Sequence, residues 1–241
     1  MLRSLKELKG YTILATDGEI GRVHDFYLDV QDWAIRYLVV DTGAWLVGRR
    51  VLISPTALHQ PDWEQKRLPV SLTQAQVENS PGIDMDKPVS RQQESELHAY
   101  YNWPPYWDSA TLLPLGVGGL APIAPLPPIS PSGAEAEVVE KVLLEEASGD
   151  PHLHSANEVI GYEVRARDDD IGHVDDFVID DESLSWPIQY MIVDTGSWLP
   201  GKKVRLTPNW VKTISWTERM VEMDLQRETI ENSPEYEGEF E

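Results

Sequence analysis

Apolar residues gather in short runs along this chain, separated by polar turn pairs. Residues 23–30 and 35–40 are rich in β-branched and aromatic side chains, which pack well on a pleated surface and predict strands. The pairs Asp17-Gly18, Gln31-Asp32 and Thr42-Gly43 punctuate them as turns. Gly21 and Gly172 fall inside strand patterns, where a missing side chain marks a bulge or a bend. Residues 73–79 read as a short helix that ends at Ser80-Pro81, because the residue before a proline is driven out of the helical region. Many short strands at close spacing predict an all-β fold, a small barrel or sandwich.

The pattern occurs twice. Gly10-Tyr11, Ile20-Gly21, Val23 and Asp25-Phe26 recur 151 positions later as Gly161-Tyr162, Ile171-Gly172, Val174 and Asp176-Phe177. After a two-residue insertion the offset becomes 153. It then carries Asp41-Thr42-Gly43, Trp45-Leu46, Gly48 and Arg49-Arg50 onto Asp194-Thr195-Gly196, Trp198-Leu199, Gly201 and Lys202-Lys203. Glu78-Asn79-Ser80-Pro81 returns as Glu231-Asn232-Ser233-Pro234. A near-constant offset over so many positions is the signature of tandem duplication. The expected division is 1–81 for the first repeat, 82–154 for a linker and 155–241 for the second repeat.

The linker has a different character. Ser90 and Gln93 have capping-box spacing and predict a short helix, followed by the cluster Tyr100-Tyr101-Asn102-Trp103-Pro104-Pro105-Tyr106-Trp107. Residues 111–131 are apolar and uncharged, but they contain six prolines, which remove backbone donors and block a helix. They read as an extended Pro-rich connection instead of a membrane span. Ser132 and Glu135 repeat the capping spacing ahead of a helix to about residue 147.

The motif order G-x-x-[IV], [IV]-G-x-[IV]-x-D-F, V-D-x-G-x-W-L-x-G-[RK]-[RK]-V resembles the PRC-barrel domain, and it covers roughly residues 3–81 and 156–234. That module is named from the cytoplasmic part of the photosynthetic reaction centre H subunit and also forms the C-terminal domain of a bacterial ribosome maturation factor. The resemblance implies two small β-barrels in tandem, of the stand-alone bacterial type, acting as docking modules for protein partners without a catalytic residue set. It implies a setting in photosynthetic-complex assembly or a stress response. The basic pairs Arg49-Arg50 and Lys202-Lys203, with Trp45, Trp198 and the linker aromatics Tyr101, Trp103, Tyr106 and Trp107, are the candidates for partner binding. Exposed Tyr, Trp and Arg are typical interface anchors.

One enzymatic alternative competes. Asp41-Thr42-Gly43 and Asp194-Thr195-Gly196 match the loop of aspartic proteases, in which two carboxylates share a proton to activate water. Against it, only 45 residues follow Gly196, little room for a protease lobe. The bland reading makes each Asp and Gly a tight turn between strands. The acidic groups at 168–170, 175–176 and 180–182 read as a solvated acidic face, and His152-Leu153-His154 lacks a third ligand for zinc. His24 and His173 read as one repeat position on the strand surface. No metal or other cofactor is expected.

Charge narrows the partners. The chain of 241 residues has 20 basic and 41 acidic side chains, a net of −21, and no cysteine. Thiol chemistry and disulfides are therefore excluded. A field this negative argues against nucleic acid and anionic membranes. The acidity is uneven: residues 1–80 carry −1, the segment 81–154 carries −8 and residues 155–241 carry −12. The first 10 residues lack the apolar run of a secretory signal, so a cytoplasmic protein is expected, with pairing of the two repeats or a homodimer as further possibilities.

Overall fold

The computed structural model describes residues 1–82, 89–107, 153–196 and 202–238. The expected helix at 132–147, the Pro-rich run and Trp198 lie outside them. Residues 1–88 and 152–241 form one compact unit, and residues 89–151 form a second.

The first unit is all-β, with two mixed sheets and a few single-turn helices. In the first repeat, β2 (Thr12–Leu14), β3 (Glu19–Asp29), β4 (Ala34–Asp41), β5 (Arg50–Ile53) and β6 (Arg67–Pro69) pair in the order β5-β4-β3-β2-β6, with β6 parallel to β2. The second repeat has the same order in β8 (Glu163–Arg165), β9 (Asp170–Asp180), β10 (Ile188–Asp194), β11 (Lys203–Leu206) and β13 (Met220–Met223), and adds β12 (Val211–Ser215) at the edge. The first repeat's counterpart of β12 shrinks to the isolated bridges Leu58↔Val70 and Asp62↔Arg67. Pro61 stands where Ile214 stands in β12, and a proline cannot donate to a ladder. The sheet pairings of the described residues trace open paths.

The two repeats exchange their first strands. β1 (Leu2–Ser4) leaves its own repeat and pairs with β9, Leu2 opposite Asp180 and Ser4 opposite Val178. β7 (Leu153–Ser155) does the reciprocal, Leu153 opposite Asp29 and Ser155 opposite Tyr27. A helical turn follows each, α1 (Leu5–Leu8) and α4 (Ala156–Val159), with two apolar residues of each turned inward. After the turn the chain returns to its own repeat, where Gly10 N donates to Val23 O and Gly161 N to Val174 O, both at 2.8 Å.

A second reciprocal contact joins the hairpin tips. Ile35 N donates to Trp186 O at 3.0 Å, and Ile188 N donates to Trp33 O at 2.7 Å. Trp33 and Trp186 hold the same left-handed conformation, φ 49° and 44°. The Trp33 ring lies 6.5 Å from Phe177 of the other repeat. The cores of both repeats are apolar and closed to solvent, around Phe26, Tyr37 and Leu38 in one and Phe177, Met191 and Ile192 in the other. The pairing of the repeats is thus backbone hydrogen bonding and shared core, made twice about a pseudo-twofold axis.

The strand registers correct the expected pairing of the histidines. Before the two-residue insertion the offset is 151, and the registers, Thr12↔Arg22 and Glu163↔His173, place His173 at the position of Arg22. His24 corresponds to Asp175. The two histidines are not equivalent.

In the second unit, α3 (Arg91–Tyr101) begins at the expected capping box, with the Ser90 hydroxyl and the Gln93 side chain both engaged. It stops at Asn102 in the left-handed conformation, φ 57°. The short helices also match the expectation at 73–79: α2 (Gln74–Glu78) is capped by Thr73, and its counterpart α5 (Arg227–Glu231) lies in the second repeat.

Candidate functional site

Each Asp-Thr-Gly sequence closes the loop after the second long strand. Asp41 Oδ1 accepts from Gly43 N and Asp194 Oδ1 from Gly196 N, both at 2.8 Å, the geometry of an Asx turn. Gly43 and Gly196 sit at φ 57° and 58°, where a Cβ is penalised. The threonine hydroxyls turn back into the loop: Thr42 Oγ1 lies within 2.8 Å of Leu46 O and Arg49 O, which share its one proton, and Thr195 Oγ1 donates to Lys202 O at 2.8 Å. The two aspartates belong to different sheets, Asp41 opposite Arg22 and Arg50, Asp194 opposite His173 and Lys203. Every part of the motif therefore serves turn geometry, and nothing supports the hydrolase alternative.

Gly21 and Gly172 serve the same corner. A Cβ on Gly21 would stand 2.1 Å from Asp41 O, and one on Gly172 would stand 1.9 Å from Asp194 O. The β3 and β9 backbones press directly against the aspartate carbonyls, which is why the strand patterns carry glycine there.

The basic pairs divide their labour. The Arg49 guanidinium reaches Ser80 O at 2.6 Å and also Glu78 O, closing the carbonyl end of α2. Lys202 Nζ donates to Glu231 O at 2.7 Å, the equivalent end of α5. Arg50 is exposed, whereas Lys203 Nζ is 2.8 Å from Asp175. So the first residue of each pair holds its own repeat together, and the second points elsewhere. A basic residue opposite helix carbonyls is a known capping device, and the repeated spacing from Arg49 to Glu78 was the available signal.

The acidic groups are not a free face. Asp168 Oδ1 accepts from Arg227 N at 2.9 Å as Asp17 does from Gln74 N at 2.7 Å, each tying the end of a helix to a hairpin turn. Asp175 lies between Lys203 and Lys6, whose Nζ is 2.6 Å away. Burial would push its carboxyl up, but the two ammonium groups outweigh that and hold it below the ordinary value. Asp175, His173 and Asp194 place ligand atoms within 4.8 Å of one another. With two lysines already on Asp175, that cluster is a compensated ion-pair network.

Asp25 and Asp176, the acids of the repeated Asp-Phe pair, are buried and latch the exchanged segments. Asp176 accepts from the Ser4 hydroxyl and, at 3.3 Å, from Lys6 N. Asp25 accepts from the Ser155 hydroxyl at 2.5 Å and from Asn157 N at 3.1 Å. The same serines are the N-caps of α1 and α4. The middle residue of each exchanged strand stacks on a tryptophan: the Arg3 guanidinium lies 4.1 Å over Trp63, and the His154 ring lies 3.4 Å from Trp216 at 8°. His154 is therefore a packed strand residue. Sequence reasoning missed the latch, although Asp25 and Asp176 recur beside phenylalanines in strand patterns where a carboxylate is out of place.

The linker aromatics close on their own helix. Tyr106 Oη donates to the fully buried Glu94 at 2.6 Å, and Arg91 reaches the same carboxylate at 2.9 Å. Arg91 also lies 4.5 Å over the Trp107 ring, Tyr101 stacks on Trp103 at 4.4 Å, and His98 packs 4.9 Å from Trp107. Burial pushes the His98 imidazole down, against the opposing charge of Glu94. Replacing Tyr106 with phenylalanine strips Glu94 of one of its charged hydrogen bonds. We expect a cost of about 1–3 kcal/mol, seen as faster hydrogen exchange in α3 with unchanged protection in β3.

A cleft of about 520 Å³ opens on the first repeat, between residues 19–24 and 41–45, and a smaller one of about 300 Å³ opens on the second repeat beside Tyr190, Arg205 and the exposed Trp210. Ile20, Val23 and the half-buried Trp45 form the apolar wall of the larger cleft, and Arg22 and His24 edge it. Val47, in the same loop as Trp45, is 87% exposed.

The geometry is that of a duplicated, strand-exchanged β protein whose Asp-Thr-Gly loops are turns. Comparison with known families names the module: residues 2–75 match the PRC-barrel domain, and the first repeat is such a domain. No curated protein matches the chain. Among the described residues no helix is long and apolar enough to cross a membrane.

Proposed function

We propose that the chain is a non-catalytic docking module for protein partners, built from two PRC-barrel domains in tandem and working in the cytoplasm. The observation that carries this is the cleft beside Trp45. It combines an apolar wall, a cationic edge and an exposed valine, on the repeat whose net charge is only −1. In the second repeat the positions of Arg22 and His24 are taken by His173 and Asp175, and the latter is ion-paired, so the two faces suit different partners. Arg50, exposed at the same corner, adds a cation, whereas Arg49 and Lys202 act within the fold. The namesake of the family makes assembly of photosynthetic complexes, or a stress response, the setting we infer.

Full-length protein immobilised for capture tests the reading. A Trp45→Ala, Val47→Asp variant with unchanged circular dichroism should lose the retained partner. The Asp41→Asn, Asp194→Asn pair should neither lose the partner nor alter any peptide hydrolysis at mildly acidic pH. Retention by the cleft variant, or hydrolysis abolished by the aspartate pair, overturns the assignment.

A further inference from the structure

The two exchanged segments share a latch but not their charges. Both donors present a serine hydroxyl and a helix-turn N–H to a buried aspartate, Ser4 and Lys6 to Asp176, Ser155 and Asn157 to Asp25. This part would accept either donor. The positions around it differ. Arg3 Nε is 3.3 Å from Asp181, and Lys6 Nζ is 2.6 Å from Asp175. In the other donor the equivalents of Arg3 and Lys6 are His154 and Asn157. In the other acceptor the equivalents of Asp175 and Asp181 are His24 and Val30.

A mismatched exchange can be read from those registers. Were the first donor to dock on a second copy of the first repeat, Lys6 would face His24 and Arg3 would face Val30. Both ion pairs would vanish, with a cation left against an imidazole. Were the second donor to dock on a second copy of the second repeat, Asp181 would face His154 and Asp175 would face Asn157, leaving Lys203 alone to compensate Asp175. The matched arrangement in the structure sets a cation against each of the two acids. Attraction in the right pair and loss in the wrong one is how a shared binding mode acquires specificity.

We propose that the exchange surface is charge-coded: the β9 acceptor selects the basic strand-and-turn segment of the first repeat, so the chain closes on itself instead of swapping segments with further copies. The Asp-Ser latch supplies the affinity common to both sites. Lys6–Asp175 and Arg3–Asp181 supply the choice. Much of the second repeat's acidity around 175–182 is therefore the complement of the basic first donor.

Full-length protein tests this by size-exclusion chromatography with light scattering over a range of concentrations. Wild type should run as a monomer. Lys6→Glu sets two carboxylates face to face and should shift the closed state toward concentration-dependent dimers, by about tenfold in the opening equilibrium. Adding Asp175→Asn to that variant removes the opposed carboxylate without crowding Lys203 and should return the protein to monomer, which a merely unfolded variant would not do. A Lys6→Glu protein that stays monomeric, or one that the compensating change fails to rescue, overturns the proposal.

Discussion

Gly21→Ala and Gly172→Ala are each expected to destabilise the β unit by about 3 kcal/mol or more, at the upper end of overpacking costs. The new methyl would lie 2.1 Å and 1.9 Å from the carbonyl oxygens of Asp41 and Asp194, and those atoms are backbone. No side-chain rotamer relieves the clash. The strand or the Asp-Thr-Gly loop must move, and each loop is fixed by its own Asx turn and threonine hydrogen bonds. At Gly172 the backbone adds to the cost, because φ is +154°, a region almost closed to residues with a Cβ. Urea titration of each variant beside Gly10→Ala gives the comparison. Gly10 has nothing within 4 Å of a Cβ and only its φ of +81° to strain, so its loss should be smaller. Equal losses at all three positions would show that conformation, not close approach, sets the cost.

These glycines also show what the chain discloses on its own. The strands, the turns, the short helix at 73–79, the capping box at Ser90 and the duplication are local or periodic signals that the sequence exposes. Gly21 and Gly172 were recognisable as interruptions, but the atom each one avoids lies 20 or more positions away and only pairing reveals it. The exchange was hidden for a similar reason. Leu2–Ser4 and Leu153–Ser155 are three-residue strands, too short for a period to register. Nothing in an alternating pattern says which of two equivalent sheets a strand will join. Arg49 and Lys202 read in sequence as cations for a partner, and the helix carbonyls their side chains reach, 29 or more positions on, emerge only in the fold. The aromatic cluster was visible as costly surface, but the buried carboxylate of Glu94 that organises it looks, in sequence, like any helix acid.

Asp175 and Asp176 are adjacent in sequence and should oppose each other on acid titration. Asp176 is almost closed to solvent, and burial raises its carboxyl above the ordinary 3.8 despite the hydrogen bonds from Ser4, Phe177 N and Lys6 N. A carboxyl raised on folding binds its proton more tightly in the native state. Its contribution is fully present below 3.8 and declines as pH rises through the higher native value. Asp175 is lowered by Lys203 and Lys6 in spite of its own burial. Its contribution is fully present above 3.8 and is lost as pH falls through the depressed native value. The cost of Asp176→Asn should therefore shrink as pH rises through that window, and the cost of Asp175→Asn should grow. Denaturation midpoints of the two variants against wild type, measured across the acid range, give the two slopes. Asp176→Ala is a separate and larger expectation, about 2–4 kcal/mol at neutral pH, because it orphans the Ser4 hydroxyl and two backbone donors in a dry site. The loss should appear first as faster hydrogen exchange in β1 and α1, since that carboxylate is what holds the donated segment on β9. Slopes of the same sign for the two asparagine variants would mean that Lys6 and Lys203 do not compensate Asp175 in the way their distances require.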